Sequence, residues 1–392
     1  MKSFFRNLML GLAMLMMLAA VSSCEKDSGG KQPEEEDNND QLFESILNVY
    51  VGTTVVPTYK SLAEAALEMR AANEALKNNP SDANMQAASA AWMKARIAWE
   101  ISEAFLFGPV GEQALDIDGH IDSWPLEKEQ IDGVLAEGAI NLTGEQAWGE
   151  LDAEVIGFHV TEYLLYREGK SRPVADLSEA ELKYLTAATD ALVWDCVLAY
   201  VAWVGEDNVA SEMKAVFREN PEVAEHLENN PNYKNFAERL TSKEGYSSWG
   251  DALSEIAVGA SEIAGEVGAT KIEAPYTAQK TEDVESWYSW HSLDDYQNNI
   301  RSIKNAYLGG MDDGSRQATS LSAYLAKANP ELDTQIKNKI DDCLSKIKNI
   351  GKDGKSFYEV VRDQTNEAEV NAAVEACVDL QTLFDSIIET LE

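Results

Sequence analysis

The apolar spacing of this chain constrains its fold more than any other feature. From Gln41 onward, apolar residues recur three and four positions apart in one long stretch after another, the repeat of helices that each bury one face. Runs that alternate apolar and polar residues, as a half-buried strand would, are almost absent. The sequence therefore predicts an all-α protein.

Caps and breakers predict where the helices begin and end. Residues 41–80 read as one long helix, kinked at Pro57 and stopped at Pro80. A second helix of about 26 residues is expected from the N-cap candidate Ser81 to Gly108 and Pro109. A third opens on the capping-box pattern at Thr143–Gln146 and runs through "GFHVTEYLLY" to Gly169. A fourth spans Ser178 to about Val204, and four long helices make a bundle. Residues 206–245 carry short helical pieces interrupted by "ENPEV", "ENNPNY" and "SKEGY", and read as a crossover. Helical spacing then resumes to the C-terminus. The expected organisation is two tandem helical-bundle domains, 41–205 and 206–392, the second opening with the crossover.

The N-terminus predicts an address. Lys2 and Arg6 precede an apolar run from about Leu8 to Ala20, followed by small residues and Cys24, the pattern of a secretory signal in residues 1–24. The run is too short and too punctuated for a membrane span. "VSSC" resembles a bacterial lipobox, in which Cys24 becomes the lipid-modified first residue. Residues 25–40 are polar and acidic and read as a disordered tether. The expected location is the envelope of a gram-negative bacterium, lipid-anchored, periplasmic or surface-exposed.

Charge narrows the partners. Lys and Arg number 32 against 68 Asp and Glu, a formal net charge of −36, which repels nucleic acid and anionic lipid. Nucleic acid is excluded as a partner, and membrane contact is expected only through the anchor. The charge itself reads as the solubility of an exposed protein. Cys196, Cys343 and Cys377 show no CxxC spacing. They read as buried small apolar residues, with a Cys343–Cys377 disulfide as the alternative.

His159 and Glu162 lie three apart, so they project from one helix face and could grip one ion. Two ligands do not make a site, and other helices must supply more. Trp92, Arg96, Trp99 and Glu103 form a stripe on the helix beginning at Ser81. Burying Arg96 and Glu103 is costly unless they serve a polar cavity, so this stripe is expected to face His159, Glu162, Tyr163 and Tyr166. The alternative is that Arg96 pairs with Glu100 or Glu103 on a solvated face. No HExxH zinc-protease pattern is present, and Ile156 stands where a ferritin-like ExxH needs glutamate. His120, flanked by Asp116, Asp118 and Asp122, could bind a cation but reads as a solvated acidic loop.

"GFHVTEYLLY" fits the GxHxxE motif of imelysin-like proteins, with Gly157, His159 and Glu162 in the motif positions. "WMKARIAWEISEAFLFGP" followed by "DIDGHIDSWP", and "SWHSLDDYQNNIRSIKNAYLGG" in the second half, also resemble that family's blocks. The resemblance implies a cell-envelope protein of two helical bundles, in a family with iron-regulated members and periplasmic components of iron uptake. It also implies a possible metallopeptidase, the family's founding description. By carry-over, His159 and Glu162 are metal ligands for iron or another divalent metal, and Arg96 and Glu103 line the same pocket, with Trp99 and Tyr166 beside them. Ser292, Asp295 and Asn299, at i, i+3 and i+7, would approach it from the other domain. Two functions follow: an iron-linked binding protein that takes a metal ion or chelate and serves envelope iron uptake, or a peptidase using His159 and Glu162. A third reading makes the two a buried structural pair.

Overall fold

The computed structural model describes residues 33–391 except 112, 137 and 138. Cys24, the signal segment and residues 25–32 of the expected tether lie outside the described residues. Helix α1 (Pro33–Tyr50) takes in residues 33–40, the remainder of that segment. It does not run straight into α2 (Val56–Asn78). The turn Val51–Val55 between them widens to π-helical bonding, and Pro57 falls in the first turn of α2, where a missing N–H costs least.

Ser81 caps α3 (Asp82–Glu100), accepting from the Asn84 N–H at 3.3 Å. The helix stops at Glu100, short of the expected Gly108. The Ser102 hydroxyl donates to the Trp99 carbonyl at 2.6 Å and the chain tightens into a 3₁₀ turn, Glu103–Phe105. The third expected helix is likewise broken. Thr143 and Gln146 form the capping box, but the helix they start ends at Glu150, and α4 (Gly157–Leu165) is a separate element. After α4 come two short antiparallel strands, β1 (Tyr166–Arg167) and β2 (Lys170–Ser171). Helix α5 (Glu179–Val204) begins at the Ser178–Glu181 capping box as the sequence predicts. It is long and apolar enough to cross a membrane, yet 89% of that stretch is buried inside the fold, so it is the core helix.

Helices α2, α3 and α5 pack together, with α4 laid across α3 and α5. The short helices Ser211–Phe217, Pro221–Glu228 and Phe236–Thr241, in the segment read as a crossover, pack on α5 and bury Phe217, Val223, Leu227, Phe236 and Leu240. A second group comprises α6 (Trp249–Gly265), α7 (Ser292–Leu308), α8 (Pro330–Ile350) and α9 (Glu367–Leu391). Helix α6 packs on α7 and α9, and α8 on α7 and α9. Helix α7 also touches α3, and α6 and α7 both touch the Glu103–Phe105 turn. One apolar core runs through both groups, and Asp40–Glu392 form one compact unit. Each fully buried large aliphatic or aromatic side chain contributes about 1.5–3 kcal/mol to it. The three cysteines are buried and free, so the alternative disulfide is not formed. Cys343 and Cys377 sit as neighbouring thiols instead.

Candidate metal centre

The centre is assembled around a close approach of backbone to backbone. Gly157 opens α4 with φ +76°, and a Cβ there would collide with the Ile121 carbonyl. Only glycine accepts both conditions, so α4 can press against the short helix Ile117–Ile121. That contact brings His159 against Asp122, the residue ending the short helix, with Nε2 3.0 Å from Oδ1. One turn along α4, Glu162 Oε2 lies 3.6 Å from His159 Nδ1. Asp122 thus corrects the expectation of a solvated acidic loop: its side chain is 5% exposed, and it accepts from the Trp99 indole N–H at 2.8 Å. His120 takes a different partner. Its Nδ1 is 2.6 Å from Asp195 Oδ2, and Trp148 Nε1 donates to the other oxygen at 2.8 Å.

Arg96 stands at the middle, with no exposed side-chain surface. It does pair with Glu100, but in the interior and not on a solvated face. It also meets Asp122, Glu285 at 2.6 Å and Asp295 at 3.5 Å. Lys271 reaches Glu285 Oε2 at 3.1 Å, and burial with Glu103 adds a further carboxyl beside it. Asn299 donates to Glu100. The Ser289 backbone N–H donates to Glu162 Oε1 at 2.7 Å.

Of the residues expected in the pocket, Arg96, Trp99, Glu103, His159, Glu162, Asp295 and Asn299 are therefore gathered in one buried network. Ser292 is close, but its hydroxyl donates to the Glu285 carbonyl. Tyr166 turns away, donating to the Ser89 carbonyl at 2.7 Å. Glu285 and Lys271 lie beyond the residues the sequence singles out, and Asp122 enters there only as one of the acids flanking His120. Asp122 and Glu285 sit in segments without helical periodicity, and the signals for Asp122 are its place among those acids and the resemblance of "DIDGHIDSWP" to a family block.

Six carboxylates (Glu100, Glu103, Asp122, Glu162, Glu285 and Asp295) face two permanent cations, Arg96 and Lys271. If all were ionised, the interior would carry an excess of four negative charges, a state that burial strongly opposes. The groups divide the strain. Burial pushes Glu100 and Glu103 well above the usual carboxylate range, against the pull of Arg96 and Lys271 respectively. Burial lifts Asp295 to about 6, again against Arg96. Burial also presses on Asp122 and Glu285, but Arg96 and His159 hold Asp122 down, and Lys271 and Arg96 hold Glu285 down. For His159, burial would favour the neutral ring, yet Asp122 and Glu162 outweigh it and raise the pKa.

The geometry leaves donors unspent. His159 Nε2 is close to Asp122 but misaligned, so neither ring nitrogen makes a well-directed hydrogen bond, and Glu162 Oε2 also lacks one. One donor atom each from Asp122, His159 and Glu285 lie within 4.8 Å of one another, as do one each from Glu100, Glu103 and Asp122. An imidazole with two carboxylates is a donor set that suits iron, zinc or manganese. The unaligned imidazole and the excess negative charge both fit a cation. Glu162, by contrast, faces His159 Nδ1 and the Ser289 N–H, the position of a residue that orients a ligand from behind.

The sequence profile of the imelysin family matches residues 55–384. Iron-regulated protein A of Synechococcus elongatus is 26% identical over 288 residues, covering 73% of this chain and 70% of that protein. A crystal structure described as an iron-regulated protein A precursor from Parabacteroides distasonis superposes with a TM-score of 0.75 at 28% identity, covering 94% of this chain and 98% of the other. An imelysin-like protein from Psychrobacter arcticum has the same fold, with a TM-score of 0.63 at 15% identity over 88% of this chain and 94% of its own. With its profile matched across most of its length and the motif glycine, histidine and glutamate meeting in one buried centre, the chain belongs to the imelysin family.

Proposed function

We propose that this chain is an iron-linked binding protein of the cell envelope, holding a metal ion, free or as a chelate, between Asp122, His159 and Glu285. The observation that carries this reading is the buried excess of carboxylate beside a histidine whose ring nitrogens lack well-directed hydrogen bonds. The name of its Synechococcus relative links that protein to iron through its regulation, and iron is the metal proposed on that ground. A bound cation would neutralise charge that the metal-free interior balances with protons and Arg96. The chain's own part is orientation: Trp99 fixes Asp122, Glu162 backs His159, and Lys271 holds the second oxygen of Glu285. Cys24 would tether the protein to the membrane by lipid, in reach of envelope iron-uptake components that receive the metal. Cys24→Ala is then expected to move the protein from the membrane fraction to the soluble one, and retention would refute the anchor.

Thermal unfolding with added iron(II), iron(III) citrate or zinc tests the centre. Wild type is expected to gain stability, about 2.7 kcal/mol at a free metal concentration 100 times the dissociation constant. His159→Ala, Asp122→Asn and Glu285→Gln are expected to gain little or none. Equal shifts in all four proteins would place the metal elsewhere.

A further inference from the structure

We infer that Arg96 is a resident cation that occupies the centre in the metal-free protein, and that an incoming metal must displace it from Asp122 and Glu285. The inference rests on the binding reading above and adds the residue that sets affinity from within.

Arg96 meets one carboxylate from each of four segments: Glu100 on its own helix, Asp122 after Ile117–Ile121, Glu285 before α7, and Asp295 on α7. Two of these four, Asp122 and Glu285, also belong to the triad with His159. The competition reaches individual atoms. Asp122 Oδ1 pairs with Arg96 Nη1 and is the oxygen nearest His159 Nε2, at 3.0 Å. Glu285 Oε1 pairs with Arg96 Nη2 at 2.6 Å and lies 3.9 Å from His159 Nε2. A metal joining His159 to these carboxylates would claim the oxygens the guanidinium holds. Two positive charges on the same oxygens, fully buried, repel with little screening.

The displaced guanidinium has a destination. Its other two partners, Glu100 and Asp295, lie outside the triad with His159. Asp295 is engaged only loosely, Oδ2 to Nε at 3.5 Å, and its Oδ1 is buried with no hydrogen-bond donor. Arg96 can therefore tighten onto Asp295 and Glu100 as it leaves Asp122 and Glu285. Lys271 is held by Glu285, 3.1 Å from Oε2 and 3.3 Å from Oε1, and so stays beside that carboxylate and not beside Asp122. Exchange of one cation for another at Asp122 and Glu285 leaves neither carboxylate without a counter-charge in either state. Such a site releases its metal more readily than a cage built of free carboxylates, which suits a protein that hands metal on.

The experiment is metal titration of the full chain, by calorimetry and by thermal shift, with zinc and anaerobic iron(II) as probes. Arg96→Gln removes the competitor and is expected to bind at least tenfold tighter than wild type, while its metal-free form melts lower. Equal or weaker binding by folded Arg96→Gln would overturn the inference and leave the binding reading standing if wild type binds. Asp295→Asn leaves the triad untouched and weakens the guanidinium's destination, so it is expected to bind metal at least threefold more weakly. Unchanged or tighter binding there would also overturn it, even if Arg96→Gln failed to fold. Binding by Arg96→Gln but not by wild type would support displacement in its extreme form. Binding by neither protein would sink both readings.

Discussion

At the scale of single residues, Gly157 is the position with least freedom. Its left-handed φ and the Ile121 carbonyl beside it both oppose a side chain. Gly157→Ala is expected to cost about 1–3 kcal/mol in urea denaturation and to weaken metal binding by moving His159 off Asp122. His120 gives a pH signature. Burial favours its neutral ring, but the charge and hydrogen bond of Asp195 outweigh it and raise the pKa above 6.5. A raised histidine stabilises the fold fully below the unfolded value near 6.5, and that stability is lost as pH rises through the folded value. The destabilisation caused by His120→Ala, measured from pH 6 to pH 9, is therefore expected to shrink with rising pH. A gap that widened with pH would contradict the pairing.

At the scale of elements, caps and one strained loop do different work. Ser178 caps the core helix α5 through a complete capping box, so Ser178→Ala is expected to cost about 1 kcal/mol, readable as a lower melting temperature. The loop that carries Glu285 is held by contacts instead of helical bonds. Ser286 and Trp290 adopt left-handed φ values of 49° and 63°, unfavourable for residues with side chains. The loop is pinned by the Ser289 N–H on Glu162, by the Gly169 N–H on the Tyr288 carbonyl at 2.9 Å, and by Trp287 stacked between Tyr288 and Tyr358 with centroids 3.9 and 5.1 Å away. Trp287→Ala removes the stack, about 0.5–1.5 kcal/mol beyond the lost burial. Amide exchange at Ser289 is expected to quicken in that variant, and unchanged exchange would show that the other pins suffice.

At the scale of the whole molecule, the charged centre ties the two helix groups together. Arg96 and His159 come from the first, Glu285 and Asp295 from the second, and the apolar core is continuous between them. Pulling the groups apart would leave Arg96 facing water on one side and bare carboxylates on the other. Calorimetry is therefore expected to show one unfolding transition, which metal moves as a unit. Two transitions, with metal shifting only one, would instead support the two separable bundles that the sequence predicts.

Helical character, the starts of α3 and α5 at Ser81 and Ser178, and the pairing of His159 with Glu162 were all legible from the chain alone. Each depends on neighbours within one turn or two, and side-chain caps and 3.6-residue spacing are local physics. The breaks at Glu100 and Glu150 were not legible, because the segments that follow bend to meet partners distant in sequence. Asp122 and Glu285 were hidden for the same reason. Nothing near either residue marks it as buried, and its desolvation is tolerable only because folding sets Arg96, Lys271 and His159 beside it. Sequence by itself determined the helical character and one half of the centre. Which carboxylates meet that histidine was decided by tertiary packing, since a buried charge is stable only where the folded chain has already assembled its counter-charges.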